Sequence, residues 1–194
     1  MKPVYILFSV LIIGIFTSCN SGPKIIDDLT KKPFDLVNQN GESIIFPDDY
    51  SGKFVVMGFV YTNCPDICPL ITQNMIKVQK KLGSPDDVQF LGVTFDPKRD
   101  TPERLKEYKG VFDLDKNFDF LTADSSTVSE LMDSVRVRSQ VSFTQVRDDG
   151  KELYFMNHSD KIMVLDKKGR VIFEYGGSMT PVNYIVEDLK SVRG

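Results

Sequence analysis

Residues 54–61 read Phe-Val-Val-Met-Gly-Phe-Val-Tyr, an almost unbroken apolar run. It ends just ahead of Cys64-Pro65-Asp66-Ile67-Cys68-Pro69. A short run without polar alternation suits a strand covered on both faces of a sheet. Such a strand needs helices around it, so the chain is expected to be α/β. A helix follows the cysteines at once. Pro69 suits its first turn, where a missing N–H costs nothing. Ile71, Met75, Val78 and Leu82 then share one face, and Gly83 and Pro85 end it.

The rest of the chain extends this unit. Phe34–Val37 and Ser43–Phe46 flank Asn38-Gln39-Asn40-Gly41 and read as a β-hairpin. Val88–Phe95 is the next strand, and Thr101-Pro102-Glu103 opens a helix with a capping residue followed by proline. Thr127 and Glu130 fit a capping box, with Val128, Leu131, Met132 and Val135 on the buried face. Lys161–Leu165 and Arg170–Tyr175 read as paired strands across Asp166-Lys167-Lys168-Gly169. A last helix opens at Thr180-Pro181 and buries Val182, Ile185, Val186 and Leu189. Residues 136–157 show no helical period and are expected to form a long functional loop, with strand character near Leu153–Met156. This order is that of a thioredoxin-like α/β domain with an added N-terminal β-hairpin and an extra helix and loop insertion.

The N-terminus has another role. Lys2, an apolar run from Val4 to Phe16 and Thr17-Ser18-Cys19 describe an export signal. The run falls short of the ~20 residues needed to span a bilayer. A cysteine after small residues resembles a bacterial lipobox, with Phe16 where leucine is usual; Cys19 is the expected lipidation site. Residues 1–18 are then a signal peptide, 19–32 a tether and 33–194 the folded domain. The mature chain has 176 residues (194 − 18), enough for one domain with an ample core. Losing Lys2 moves the formal charge from −3 to −4, and nothing is strongly basic. Nucleic acid is not an expected partner. Nothing points to an obligate dimer, and a monomer is expected. The expected location is outside the cytoplasm, lipid-anchored to a bacterial membrane and facing the periplasm.

Cys64 and Cys68 are two of only three cysteines, separated by three residues where thioredoxin-type pairs usually have two. In an oxidising compartment they could form a structural disulfide. So short a loop restricts the unfolded chain little, however, and a domain this size needs no staple. Two chemical uses stay open. A thiolate pair suits a soft ion such as Cu(I), and it also suits disulfide exchange. Cys68, at or just before the helix that begins at Pro69, is expected to be favoured as a thiolate. Pro65 and Pro69 bias both cysteines away from helical geometry, so a stiff loop should place the sulfurs. His158, the only histidine, stands just before the Lys161–Leu165 strand. In the thioredoxin order this loop faces the cysteines and normally carries a cis-proline. No proline lies between Pro102 and Pro181, so His158 can supply the third ligand of an S₂N site. Met156 and Met163 could offer thioether sulfur but read as core. Asp96, Arg99 and Asp100 read as a strand-to-helix turn.

The motifs Tyr61-Thr62-x-Cys64-Pro65-Asp66-x-Cys68-Pro69, Asp96-Pro97-Lys98-Arg99-Asp100-Thr101-Pro102 and His158-Ser159 together resemble the Sco/SenC family, over roughly Phe34 to Leu189. The resemblance implies a membrane-tethered, thioredoxin-like copper protein with Cys64, Cys68 and His158 as ligands. It also implies a role in building the dinuclear copper centre of cytochrome c oxidase, as metallochaperone, thiol reductant or both. Cu(I) is the preferred ion, and Cu(II) would take one further ligand. The implied partner is the oxidase subunit carrying that centre, or another copper or thiol protein. Asn63 and Asn157 depart from the aromatic and the aspartate common in relatives, which bears on the tuning of the site. The competing reading is a thiol-disulfide reductase with no obligate metal, its redox pair Cys64 and Cys68. A thiol peroxidase fits the surroundings of Thr62 poorly.

Overall fold

The computed structural model describes residues 22–148, 150 and 152–193; the signal segment and Cys19 lie outside the described residues. In chain order the elements are β1 (Asp27–Asp28), β2 (Phe34–Asn38), β3 (Ser43–Phe46), β4 (Phe54–Val60), α1 (Ile67–Leu82), β5 (Val88–Thr94), α2 (Pro102–Val111), β6 (Phe118–Thr122), α3 (Ser125–Ser134), β7 (Ser139–Val146), β8 (Glu152–His158), β9 (Ile162–Leu165), β10 (Arg170–Tyr175) and α4 (Val182–Arg193). Eight strands form one sheet in the order β1-β10-β9-β4-β5-β6-β2-β3, and β7 and β8 form a separate ribbon. The fold is thioredoxin-like.

β4 is the spine. Every residue from Phe54 to Val60 is buried. It pairs parallel to β5 from Phe54↔Val88 to Val60↔Thr94, and antiparallel to β9 from Val55↔Leu165 to Gly58↔Ile162. Each large apolar side chain buried here contributes about 1.5–3 kcal/mol before conformational entropy is counted. α1 packs on β4 and α4 through Ile71, Met75 and Val78. Gly58 permits that approach, since a Cβ there would lie 2.8 Å from Ile71 Cγ2 and 2.9 Å from Met75 Sδ. Gly83 closes α1 in the left-handed conformation, φ 75°.

Several boundaries differ from the sequence reading. α1 begins at Ile67, so Cys68 is its second residue and Pro69 its third, not the residues that precede and open it. Proline is tolerated there because the N–H groups of the whole first turn lack helical partners. α3 is capped by Asp124, which accepts from the N–H groups of Ser126 and Thr127; the capping box expected at Thr127 does not form. A carboxylate one turn earlier takes the exposed donors first. Residues 27–31, read as tether, are docked: β1 pairs with β10 and Leu29 is 2% exposed. Val182 is only partly buried.

The largest difference lies in residues 136–157. They hold the hairpin β7–β8, in register from Ser139↔His158 to Val146↔Glu152 with an irregularity between Val141 and Phe143. The ribbon is largely exposed, so no core face imposed a clear apolar pattern. His158 is accordingly the last residue of a strand, not a loop residue.

Candidate metal centre

The centre lies at the C-terminal end of β4, where the chain turns into α1. Beyond Tyr61 the backbone is pinned from the side. Asp100, fully buried, accepts from Thr62 N–H at 3.1 Å, from Thr62 Oγ1 at 2.6 Å and from Thr94 Oγ1 at 2.6 Å. Burial pushes the Asp100 carboxyl above its ordinary range, against the pull of these donors. Arg104 donates to Thr62 Oγ1 at 3.2 Å and to Asn63 Oδ1 at 3.3 Å. The chain then closes on itself, Cys64 N–H donating to Tyr61 C=O at 3.2 Å.

α1 has no side-chain cap at Asp66. The sulfur of Cys64 takes that place, accepting from Cys68 N–H at 3.4 Å. Cys68 Sγ in turn accepts from Tyr61 N–H at 3.4 Å and is wholly buried. The thiolate preference expected for Cys68 therefore falls on Cys64. The neighbouring Cys68 thiol, as a hydrogen-bond partner, lowers the Cys64 pKa to about 3 against burial, with His158 and then the Cys68 N–H adding to the effect. Burial, and then the neighbouring Cys64 sulfur, push the Cys68 thiol well above the ordinary range. Both cysteines are free, and Cys64 is half-buried.

His158 comes to this point from the end of β8. Its Nε2 stands 3.5 Å from Cys68 Sγ, and its Nδ1 donates to Ser159 C=O at 2.9 Å. Fixing the proton on Nδ1 leaves the Nε2 lone pair facing the sulfurs, the tautomer a metal ligand needs. Phe95 packs on the ring with centroids 4.6 Å apart, and Tyr61 meets it edge-on at 6.1 Å. Burial alone would lower the imidazole pKa, but the Cys64 sulfur and the Ser159 carbonyl outweigh it and the net direction is up.

Among the described residues, Cys64, Cys68 and His158 group as potential metal ligands, their donor atoms all within 4.8 Å of one another. A trigonal S₂N shell with bonds of about 2.0–2.3 Å has edges of roughly 3.5–4 Å, so small shifts would seat one ion. The two sulfurs favour a soft metal. Cys64 and His158 open onto a cleft of about 500 Å³ shared with Tyr61, Ile67, Phe155 and Met156. Met163 is core, whereas Met156 lines the cleft. The residues that sequence reasoning undervalued are Asp96, Arg99 and Asp100. They looked like a simple turn, yet Asp100 grips the cysteine loop and Arg99 grips β8, donating to Tyr154 C=O at 3.0 Å. A second acidic residue placed just ahead of the Thr101-Pro102 helix start was the available signal.

Known proteins share this fold. A structure of Bradyrhizobium japonicum ScoI with copper bound is 28% identical, covers 82% of this chain and 97% of its own, and superposes with a TM-score of 0.65. A SCO1/SenC family lipoprotein from Bacillus anthracis is 29% identical over 84% of this chain and 94% of its own, with a TM-score of 0.68. BsSco, described as a member of the Sco family of cytochrome c oxidase assembly proteins and as having a disulfide switch, is 27% identical over 88% of this chain and 95% of its own, with a TM-score of 0.65. The SCO1/SenC family model matches residues 24–193. On the fold, the clustered sulfurs and imidazole, and this match, the chain belongs to the SCO1/SenC family.

Proposed function

We propose that this protein is a membrane-tethered copper metallochaperone that assists assembly of the dinuclear copper site of cytochrome c oxidase. Copper is its cargo, held by Cys64, Cys68 and His158. The observation that carries this reading is the convergence of two sulfurs with an imidazole Nε2 freed for coordination by the Nδ1–Ser159 bond. Cys64 is ready as a thiolate, so Cu(I) binding displaces the proton of Cys68. Cu(II) would take a further ligand from the cleft. The half-open position of Cys64 and His158 suits ligand exchange with an acceptor protein.

The pair also serves as a redox gate. Oxidation forms a Cys64–Cys68 bond, and its two electrons, with two protons of which water supplies those the pair does not carry, reduce a partner disulfide to two thiols. Both soft ligands are then lost and copper leaves. The same thiolate supports a second reading, a thiol-disulfide reductase acting on partner cysteines without obligate metal. The depressed Cys64 pKa favours it.

Among the described residues, no helix is long and apolar enough to cross a membrane. The tether is the lipid on Cys19 of an exported chain facing the periplasm. The lipoprotein status of the Bacillus anthracis relative supports this. One acyl chain binds a membrane marginally, and the several chains usual in bacterial lipoproteins anchor stably.

Copper stoichiometry of the reduced protein separates the readings. The chaperone binds one copper per chain, and His158→Ala lowers affinity at least about tenfold while both thiols stay titratable. Reduced wild-type protein that takes up no copper, yet exchanges disulfides with or without His158, establishes the reductase instead.

A further inference from the structure

The ribbon β7–β8 carries His158 but is not part of the main sheet. Strand β8 is instead held to the body of the domain by side chains. Arg99 Nη1 donates to Tyr154 C=O at 3.0 Å, and Tyr61 Oη accepts from Met156 N–H at 3.4 Å. These backbone groups, two residues apart, share one edge of the strand. The Arg99 guanidinium carbon lies 3.4 Å from the centre of the Tyr154 ring and 5.6 Å from that of Tyr61. Asp96 completes the contact, accepting from Arg99 Nε at 2.5 Å and from Tyr154 Oη at 2.6 Å. The ion pair is largely buried, at 18% and 3% side-chain exposure, and Arg99 Nη2 is buried with no partner. An unpartnered buried donor is costly, so the stacking and the Asp96 pair must offset it.

Tyr154, Met156 and His158 lie on one face of β8 by strand alternation. A hold on Tyr154 therefore fixes the register and tilt of the imidazole four residues on. The same turn grips the other half of the centre, since Asp100, next to Arg99, binds Thr62 two residues before Cys64. One five-residue turn thus spans the cysteine loop and the histidine strand.

We propose that Arg99 is a positioning residue: by clasping Tyr154 it holds β8, and with it His158, against the cysteine pair. This deepens the copper-site reading, on which its metal arm rests. Loss of the clasp frees the ribbon to swing the imidazole away while the dithiol stays in place. Lysine keeps the charge but has neither the planar fork nor the stacking surface, so it is not an equivalent residue here.

The test has two arms. In the metal-free protein, amide hydrogen exchange compares β8 with β4 in wild type, Arg99→Ala, Arg99→Lys and Tyr154→Phe. Arg99→Ala should speed exchange in β8 about tenfold, the loss of a stacked, desolvated cation, with β4 unchanged. Arg99→Lys should lie between wild type and alanine, and Tyr154→Phe, which keeps the ring but loses its bond to Asp96, should show a smaller increase. If Arg99→Ala unfolds, the last two variants decide the matter. In the metal arm, Cu(I) affinity is measured by chelator competition for Arg99→Ala, His158→Ala and the double variant. Arg99→Ala should weaken binding, and the double variant should be no weaker than His158→Ala alone. Unchanged β8 exchange in all three variants, or losses that multiply independently, would overturn the proposal. A wild type that binds no copper would overturn the copper reading, while the exchange arm still decides the clasp.

Discussion

Cys64 and Cys68 are four residues apart and sit in opposite surroundings. Cys64 stands where a capping side chain would, takes the Cys68 N–H and is half-open to the cleft. Cys68 is wholly buried behind it. With a pKa of about 3 against an ordinary thiol near 8.5, Cys64 is a thiolate across the neutral range. Its alkylation by iodoacetamide in the reduced protein should be nearly flat from pH 8 down to about pH 5, whereas a free thiol slows about tenfold per pH unit. Cys68 should stay unmodified until the protein unfolds. Peptide mapping after timed alkylation checks both statements, and a Cys64 rate that falls tenfold per unit below pH 8 contradicts them. The sequence reading expects the thiolate at Cys68, whereas the structure favours it at Cys64. Placing Cys68 ahead of the helix made it the natural recipient of the helix N-terminus. The two-residue earlier start of α1 gives that role to Cys64. Local propensity around two prolines does not resolve such a boundary, because proline is tolerated anywhere in a first turn.

At the level of elements, the legible parts were those with a strong pattern. β4, β5, β9 and the helix faces of α1 and α4 each bury a coherent apolar set. The β7–β8 ribbon was not legible as a hairpin because β7 is exposed almost throughout and β8 is only half-buried, so neither strand carries a clean apolar face. The meaning of Asp96, Arg99 and Asp100 was hidden for a related reason: their partners Tyr154 and Thr62 are 55 and 38 residues away in sequence. The seating of α1 on β4 positions Cys68 and depends on Gly58. Gly58→Ala would press a methyl to within 2.8 Å of Ile71 Cγ2, where Met75 can yield but Ile71 cannot without moving the helix. Overpacking of this kind costs about 1–3 kcal/mol. Urea unfolding should show that loss, and copper affinity should fall with it. Full stability in Gly58→Ala would mean that α1 is not held at that distance.

For the whole molecule, the sheet separates the first described residues from the site. The described chain enters beside β10, where Ile26 N–H donates to Val171 C=O at 2.8 Å and β1 pairs with Arg170 and Val171. These residues lie at the β9–β10 turn, near the start of β4, whereas the sulfurs follow its end. A seven-residue strand separates the two ends by about 20 Å. On the proposed lipidation of Cys19, the chain would enter the domain at the end of β4 opposite the cleft. Cys19→Ser should move the protein from the membrane to the soluble fraction and abolish labelling by fatty acid, with Cys64 alkylation unchanged; a variant that stays membrane-bound would point to another anchor. The central claim is that one distant imidazole completes a shell begun by two neighbouring sulfurs. X-ray absorption of the Cu(I)-loaded protein tests it most directly. The expected result is one copper with two sulfur ligands and one imidazole nitrogen, the nitrogen disappearing in His158→Ala. A wild-type spectrum with sulfur ligands alone, unaltered by His158→Ala, would contradict it.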